Sequence, residues 1–496
     1  MINIQKNDEK KHFILRLMEV SYPSFKPKIF FSIIGSVVIQ FIAFKAMNPL
    51  TTNSINKLFG QVLACFLMIL ITFCIVSSVE SYTLSVSHLP QLQKGRAFLL
   101  MTDLSGIGPS IDVSFYDESG KEVAAIHKLL PPKGKIQIYV GNYLKSSGSI
   151  VVESSNEMIL AEYWQIYNDG TVSMLPFQSP VGEERYLLNC FRFPSCEESY
   201  IAICDPQGNG PMVQMEFYSK TGELMKITRK MLRPHSVMTF KIGDYASKDI
   251  VGKVSVRSFG GGITLHTIHS CGKKAVFALP VSIPSKYLIV DGFSANIETD
   301  SGLIIVDASA KGTRFKISIF DDRGEMVNSL DRSLLANSAM LINLGEFTDN
   351  VENGIVKIDS ESEIIADYWE GDLKTGKIEI TLENPKLKAR YSENILATSY
   401  FSSHDSAEFI LSFLNTGRES IVAELEIYNS DGEKIGSKKI PLEPYKHFKE
   451  SINRYFNKLR LGTIIVRDPN SSLLVTSSIV SNKNGQLFGK IYAISR

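Results

Sequence analysis

The chain is poor in the spacings that carry chemistry. No nucleophile elbow, Walker loop or HExxH occurs among its 496 residues, which removes the usual signatures of serine hydrolases, P-loop enzymes and zinc peptidases. Charge of one sign is lacking too. The 53 basic and 52 acidic side chains leave a net charge of +1, and no polybasic stripe crosses the chain, so nucleic acid has no electrostatic footing as a partner. Cysteine occurs six times without a CxxC, so the tight ligand pairs of structural zinc are missing. Tryptophan occurs twice. The carboxylates are scattered. These absences favour a protein that is not an enzyme and carries no cofactor.

Beyond Tyr82 no convincing amphipathic helix is present. What is there is a phrase written four times: FYDESGKEV from Phe115, FYSKTGEL from Phe217, IFDDRGEM from Ile319 and IYNSDGEK from Ile427. Their glycines, Gly120, Gly222, Gly324 and Gly432, are spaced by 102, 102 and 108 residues. Three other landmarks keep nearly the same beat. An aromatic recurs at Tyr143, Tyr245, Phe347 and Tyr455. A glycine opens a β-branched run at Gly148, Gly252, Gly354 and Gly462. A tyrosine opens each unit at Tyr82, Tyr186, Tyr287 and Tyr391. Four landmarks in phase indicate tandem units of about a hundred residues: 82–182, 183–284, 285–386 and 387–496, after a distinct region 1–81.

Within a unit the hydrophobic period is two. Val113 and Phe115, or Phe315, Ile317 and Ile319, fall on one side of a strand, and Asp112 and Ser114, or Lys316 and Ser318, on the other. About seven such runs per unit, separated by turns or prolines, predict an all-β chain of four tandem seven-stranded antiparallel β-sandwich domains. Asp117-Glu118-Ser119-Gly120 is then a hairpin turn, with Gly supplying the left-handed conformation. It has too few oxygen ligands for a calcium loop. Gly260-Gly261-Gly262 is a hairpin in the place that other units fill with SSNE, SESE and PNSS. Short proline-bearing junctions at QSPVGEER, PVSIPSK and ENPKLKAR predict a semi-rigid rod.

The region before Tyr82 holds two hydrophobic runs, 29–46 and 58–77, near the lower limit for a membrane-spanning helix. They read as a helical leader. Lys10, Lys11, Arg16, Lys26 and Lys28 precede the first and favour a cytoplasmic N-terminus. A two-helix hairpin would leave the repeats in the cytoplasm. A single span, or a signal starting at Met47 and cleaved near Ser81 after small residues, would put them outside. The second outcome is expected, because the cleavage position abuts the first repeat.

Three side-chain sets are candidates for function. Tyr163-Trp164 and Tyr368-Trp369 occupy equivalent strands, each beside a carboxylate, and could stack a sugar ring; packing of both strand faces is the favoured alternative. Cys190, Cys196, Cys204 and Cys271 all lie in the second unit. Two disulfides are compatible with an oxidising compartment, Cys190–Cys196 with Cys204–Cys271 being one of three pairings; buried free thiols are the alternative. His269 and Cys271 share a strand face and form a weak metal pair, with His266 pointing away. Tyr116, Tyr218, Phe320 and Tyr428, just before each turn, are expected to cover a sheet edge or a junction.

With seven strands per unit and a recurring aromatic at Tyr143, Tyr245, Phe347 and Tyr455, the repeats resemble bacterial tandem immunoglobulin-like or fibronectin-III-like modules, in which a tyrosine corner occupies a comparable place. The resemblance is architectural and implies a spacer or scaffold of the cell envelope. Its expected partners are other envelope proteins or further copies of itself, with glycans as the alternative and the membrane reached through the N-terminus.

Overall fold

The computed structural model describes residues 81–495 except 90–94, 167–171, 181–184, 192–197, 246–250, 272–274, 281–283, 296–298, 349, 373–376, 382–394, 402–406, 457–460, 468–471, 482–486 and 493. The two hydrophobic runs and the cleavage position before Ser81 lie outside the described residues. Among the described residues no helix is long and apolar enough to cross a membrane.

The described chain is all-β, built from antiparallel sheets. Residues 82–176 form β1 (Tyr82–His88), β2 (Arg96–Asp103), β3 (Ser110–Asp117), β4 (Glu122–Leu129), β5 (Lys135–Tyr139), β6 (Gly148–Ser154), β7 (Ile159–Ile166) and β8 (Val172–Pro176). Residues 185–280 form β9 (Arg185–Phe191), β10 (Glu198–Cys204), β11 (Met212–Tyr218), β12 (Leu224–Met231), β13 (Val237–Lys241), β14 (Val251–Phe259), β15 (Thr264–Cys271) and β16 (Ala275–Pro280). Next come β17 (Ser285–Ala295), β18 (Thr299–Asp307), β19 (Thr313–Phe320), β20 (Met326–Leu334), β21 (Ala339–Asn343), β22 (Val351–Asp372) and β23 (Lys377–Thr381). The last set is β24 (Ile395–Phe401), β25 (Ala407–Asn415), β26 (Ile421–Asn429), β27 (Lys434–Leu442), β28 (His447–Ser451), β29 (Leu461–Arg467), β30 (Leu473–Ser481), β31 (Leu487–Tyr492) and β32 (Ile494–Ser495).

The first set makes two four-stranded sheets, ordered β1-β6-β3-β4 and β5-β2-β7-β8, and the second repeats the plan as β9-β14-β11-β12 and β13-β10-β15-β16. Between each pair lies an apolar core: Leu84, Val113, Phe115 and Ile150 against Leu99, Met101 and Tyr163 in the first, Val213, Met215 and Phe217 against Ile201, Ile203 and Leu265 in the second. The fourth set forms β32-β24-β29-β26-β27 and β28-β25-β30-β31.

The third set departs from this plan. SESE (Ser360–Glu363), read as a turn, is extended, and β22 runs 22 residues without a break. It pairs first with β17 and β19, then with β18 and β23, so all seven strands join one sheet. SESE has no Gly, Pro or Asn to reverse the chain, which fits its extended form.

The four-residue phrases do reverse the chain. Gly120 has φ +88°, Gly222 +89°, Gly324 +82° and Gly432 +86°. Gly120 N–H donates to Asp117 O at 2.9 Å, and Asp117 Oδ1 accepts from Ser119 N–H. A register shift sits beside each turn, between Phe115/Tyr116, Phe217/Tyr218, Ile319/Phe320 and Ile427/Tyr428. The recurring aromatic follows a single 3₁₀ turn at Val140–Asn142, Ile242–Asp244 and Leu344–Glu346, and lies in the short helix Asn453–Phe456. Its ring makes the shared contacts, and the Tyr455 hydroxyl in addition donates to Glu450 Oε1 at 3.0 Å. Tyr143 stacks on Phe115 at 5.0 Å and Tyr245 on Phe217 at 4.9 Å, while a cation covers Tyr245 (Lys226), Phe347 (Arg332) and Tyr455 (Arg454). No hydroxyl is needed for that, so Phe347 serves as well as tyrosine.

Candidate functional site

The second face of many sheets is buried as well, and what covers it is another repeat. In β7 all eight residues are buried, Glu162 and Gln165 included. The covering contacts form four seams.

At the first-to-second seam, Ala202, Cys204, Val237 and Ile268 join the core of the first repeat. Ser85 Oγ lies 2.6 Å from Thr264 Oγ1 and Ser87 Oγ 2.7 Å from Cys204 Sγ. At the second-to-third seam, Leu187 packs with Val306, Ala339 and Ile365. The fully buried Lys253 donates to Asp307 O at 2.8 Å and to Asn337 Oδ1 at 2.7 Å. At the third-to-fourth seam, Ile289 and Ile355 meet Leu414, and His447 Nδ1 lies 2.9 Å from Asp291 Oδ1. The fourth seam joins the last repeat to the first. Leu104 and Leu160 pack with Ile395, Ala397, Tyr428 and Ile465. Lys135 Nζ donates to Gly462 O at 2.6 Å, and its backbone N–H to Ser430 O at 2.7 Å. The innermost strands close the same cycle: β8 touches β16, β16 touches β23, β23 touches β31, and β31 touches β8. The repeats therefore do not extend as a rod. The apolar second faces offset the entropy of closing the chain on itself.

Each seam is keyed by the recurring turn. A Cβ built on Gly120 would run into Pro234 O, on Gly222 into Ala336 O, on Gly324 into Tyr445 O, and on Gly432 into Pro132 O. All four carbonyls belong to the loop of the following repeat, the fourth turn meeting the first repeat. The aromatic beside three of the turns reaches the same loop. Tyr116 stacks on His235, Phe320 stacks on Tyr445 at 5.7 Å, and Lys133 Nζ stands 5.5 Å over Tyr428. Tyr116, Phe320 and Tyr428 thus cover a junction, as the sequence leads one to expect. The loop residues Lys133, His235, Asn337 and Tyr445 all hold φ between 55° and 60°, a strained conformation away from glycine. Buried carboxylates support two of them: Asp103 Oδ2 accepts from Lys133 N–H at 3.1 Å and Asp307 Oδ2 from Asn337 N–H at 2.7 Å. Sequence reasoning passed over these aspartates, although Asp103, Asp205, Asp307 and Asn415 keep the repeat spacing.

The candidate sugar residues divide. Tyr163, Trp164 and Tyr368 are buried. Trp164 Nε1 donates to Glu162 Oε2 at 3.0 Å, and its ring packs in the cluster holding Tyr400 and Phe409 of the fourth repeat. Tyr163 OH is 2.7 Å from His88 Nδ1 and donates to Gln165 Oε1; Tyr368 OH donates to Glu370 Oε2 at 2.6 Å. None of these three rings is open to a sugar. Trp369 is half-buried, and Gly302 lies opposite it with no room for a Cβ beside its indole.

Cys204 is a free buried thiol and not half of a Cys204–Cys271 disulfide. Burial pushes it up to about 11, so it is no nucleophile at neutral pH. The side chains of Cys190, Cys196 and Cys271 lie outside the described residues. His269 is fully buried with Nδ1 2.8 Å from Ser199 Oγ, and among the described residues no cluster of three metal-ligating side chains exists. Burial lowers His88 and His266 to about 4 and His269 to about 3, so all three are neutral. Lys135 is lowered to about 7 by burial, with Glu162 opposing the shift.

The outer edge of each unit tells a different story. Among the described residues β4, β12, β20 and β27 pair on one side only, and large apolar side chains are exposed on three of them: Val123 and Leu129, then Leu224, Met225, Ile227 and Met231, then Met326 and Val327.

No family model matches this chain, and no curated protein matches it. Among solved structures it is similar to a calcium-binding mutant of Bacteroides uniformis β-glucuronidase 2, at 10% identity over 49% of this chain and 27% of that one, with a TM-score of 0.12. It is also similar to Streptomyces avermitilis α-L-rhamnosidase (7% identity, 64% and 44% of the two chains, TM-score 0.14). A glycosyl hydrolase family 2 member from Bacteroides cellulosilyticus gives 6% identity, 83% and 92% coverage and a TM-score of 0.13. The chain spans about a quarter of the glucuronidase and under half of the rhamnosidase. Scores this low carry no argument about activity.

Proposed function

We propose that this chain is a non-enzymatic scaffold of the cell envelope, made of four tandem immunoglobulin-like sandwiches that act by contact with other proteins. One observation carries the reading. Glu162, Lys135, Cys204, His266, His269 and Trp164 are buried, while exposed apolar groups gather on open outer strands. That distribution suits holding and presenting surfaces. Extracytoplasmic placement follows from the leader, as a single anchoring span or a cleaved signal.

Alkaline phosphatase fused after Arg496 tests the placement. Activity at normal expression is expected; an inactive fusion with the chain intact would move the scaffold to the cytoplasmic side, held by a membrane hairpin. The glycan reading keeps one half-exposed ring, Trp369. Titrating tryptophan emission with a panel of envelope polysaccharides should leave it unchanged, and a saturable shift lost in Trp369→Phe would revive that reading.

A further inference from the structure

The four outer strands occupy equivalent edges, yet one differs in its charge. On β27, Lys434, Lys438 and Lys439 each meet a glutamate: Glu426 at 2.7 Å, Glu450 at 2.8 Å and Glu424 at 3.2 Å. β27 also carries Pro441, and it exposes no large apolar side chain among those of the chain. It is an edge blunted in the ordinary way, by lysine and proline. β12 is not blunted. Residues 220–233 hold five basic side chains, Lys220, Lys226, Arg229, Lys230 and Arg233, against the single acid Glu223. Lys226 stands over the Tyr245 ring at 4.4 Å and Arg229 donates to Gln214 Oε1 at 2.7 Å; neither meets a carboxylate. Lys230 is exposed.

The register sorts these residues onto two faces. Lys226, Thr228 and Lys230 lie opposite Phe217, Met215 and Val213, whereas Ile227 and Arg229 lie opposite Glu216 and Gln214. Met231 opposes Met212, and Leu224 opposes Tyr218 past the bulge at Met225. The free edge thus offers Lys226 and Lys230 on one side, and on the other exposed Leu224 (46%), Ile227 (48%) and Met231 (63%) with Arg229 among them. It also offers a row of backbone groups with no strand beyond it among the described residues.

We infer that β12 is a docking edge for an extended segment of a partner protein in which acidic and apolar residues alternate, added as a further strand. Charge decides the occupant. A second copy pairing antiparallel through β12 would set Lys226 opposite Lys230 when centred on Thr228, or Arg229 opposite Arg229 when centred there, and like charges directly opposite are destabilising. An alternating acidic and apolar strand meets both faces at once. This refines the scaffold reading above and depends on it for context.

The test uses the full chain and a fluorescein-labelled ten-residue peptide of alternating Glu and Val. Binding by anisotropy is expected, about tenfold or more weaker for Lys226→Glu/Lys230→Glu, and absent for the Lys–Val peptide. A backbone N-methylated Glu–Val peptide should lose binding if main-chain pairing is involved. Lys434→Glu/Lys438→Glu on β27 should leave the affinity unchanged. Ile227→Thr is a milder variant, expected to weaken binding while melting with the parent. Failure of the Glu–Val peptide to bind, equal binding by the charge-reversed strand or by the methylated peptide, or a dimer lost in Ile227→Thr would each overturn the assignment. An active phosphatase fusion beside such a failure would leave the envelope scaffold standing and remove only this edge.

Discussion

The imidazole of His235 lies flat on the phenol of Tyr116, with centroids 4.3 Å apart and planes within 8° of parallel. One ring stands beside the turn of the first repeat, and the other sits in a left-handed loop of the second. The recurring phrase is therefore both a hairpin and a plug. Tyr116→Ala should destabilise the chain by about 1 kcal/mol, the usual worth of an aromatic pair, read from the denaturant midpoint at unchanged slope.

Glycine substitutions separate the two duties. Gly120→Ala meets positive φ and the Pro234 carbonyl together, so a loss on the order of 3 kcal/mol or more is expected. Gly260 has the same φ of +88° with nothing within 4 Å. Gly260→Ala should cost only about 1 kcal/mol. Equal melting shifts for the two would remove the turn from the seam.

Closure should be visible in amide exchange. Lys135 N–H donates to Ser430 O, and Ala339 N–H to Lys220 O, each across a seam. Both amides are expected to exchange only with global opening. In Gly432→Val, Lys135 should exchange faster while amides in the second repeat's core keep their rates. A Lys135 amide that exchanges at loop rates in the parent chain would leave the fourth seam open.

Stability should respond to pH at both ends. Lys135 falls from 10.5 to about 7 on folding, so between those values the unfolded chain holds a proton the folded chain has released. Stability therefore rises with pH across that window, by on the order of a few kcal/mol, and the rise should vanish in Lys135→Met. His88, His266 and His269 fall from 6.5 to about 4, 4 and 3. Their contribution is complete above 6.5 and is lost as pH drops toward 4. Midpoints measured from pH 8 to 4 should fall steadily, less so in His266→Gln.

Trp164 should emit as a buried indole and resist acrylamide in Trp369→Phe, where it is the sole tryptophan. Trp164→Ala, which empties part of the fourth seam, should cost about 3–5 kcal/mol in thermal or denaturant unfolding.

The period of the repeats, the hairpins and the strand character were legible because they depend on neighbours in sequence: glycine at a positive φ, and alternation along Val113, Phe115 or Phe315, Ile317, Ile319. The closing strands β8, β16, β23 and β31 were missed, since short runs such as VSMLP and KIEIT resemble linkers. The seams were missed for a chemical reason. Ser85, Ser87, Ser149, Lys253 and Thr463 are polar, yet all are buried, their polarity met in part by groups from another repeat. The unbroken burial of ILAEYWQI, where alternation fails, was the available signal of a strand covered on both sides. The choice between packing and stacking at Trp164, and between thiol and disulfide at Cys204, stayed open in the sequence for the same reason, because composition does not say which face a neighbour will cover.

A head-to-tail contact repeated along a chain has two fates: it ends in a closed figure or it grows without limit. Here the plug of the last copy, Gly432, meets the loop at Pro132 in the first, so neither complementary surface is left over to recruit another molecule. Copy number is thereby fixed by geometry. A chain gaining or losing one copy would carry a mated surface without its mate, and would be expected to polymerise or be degraded.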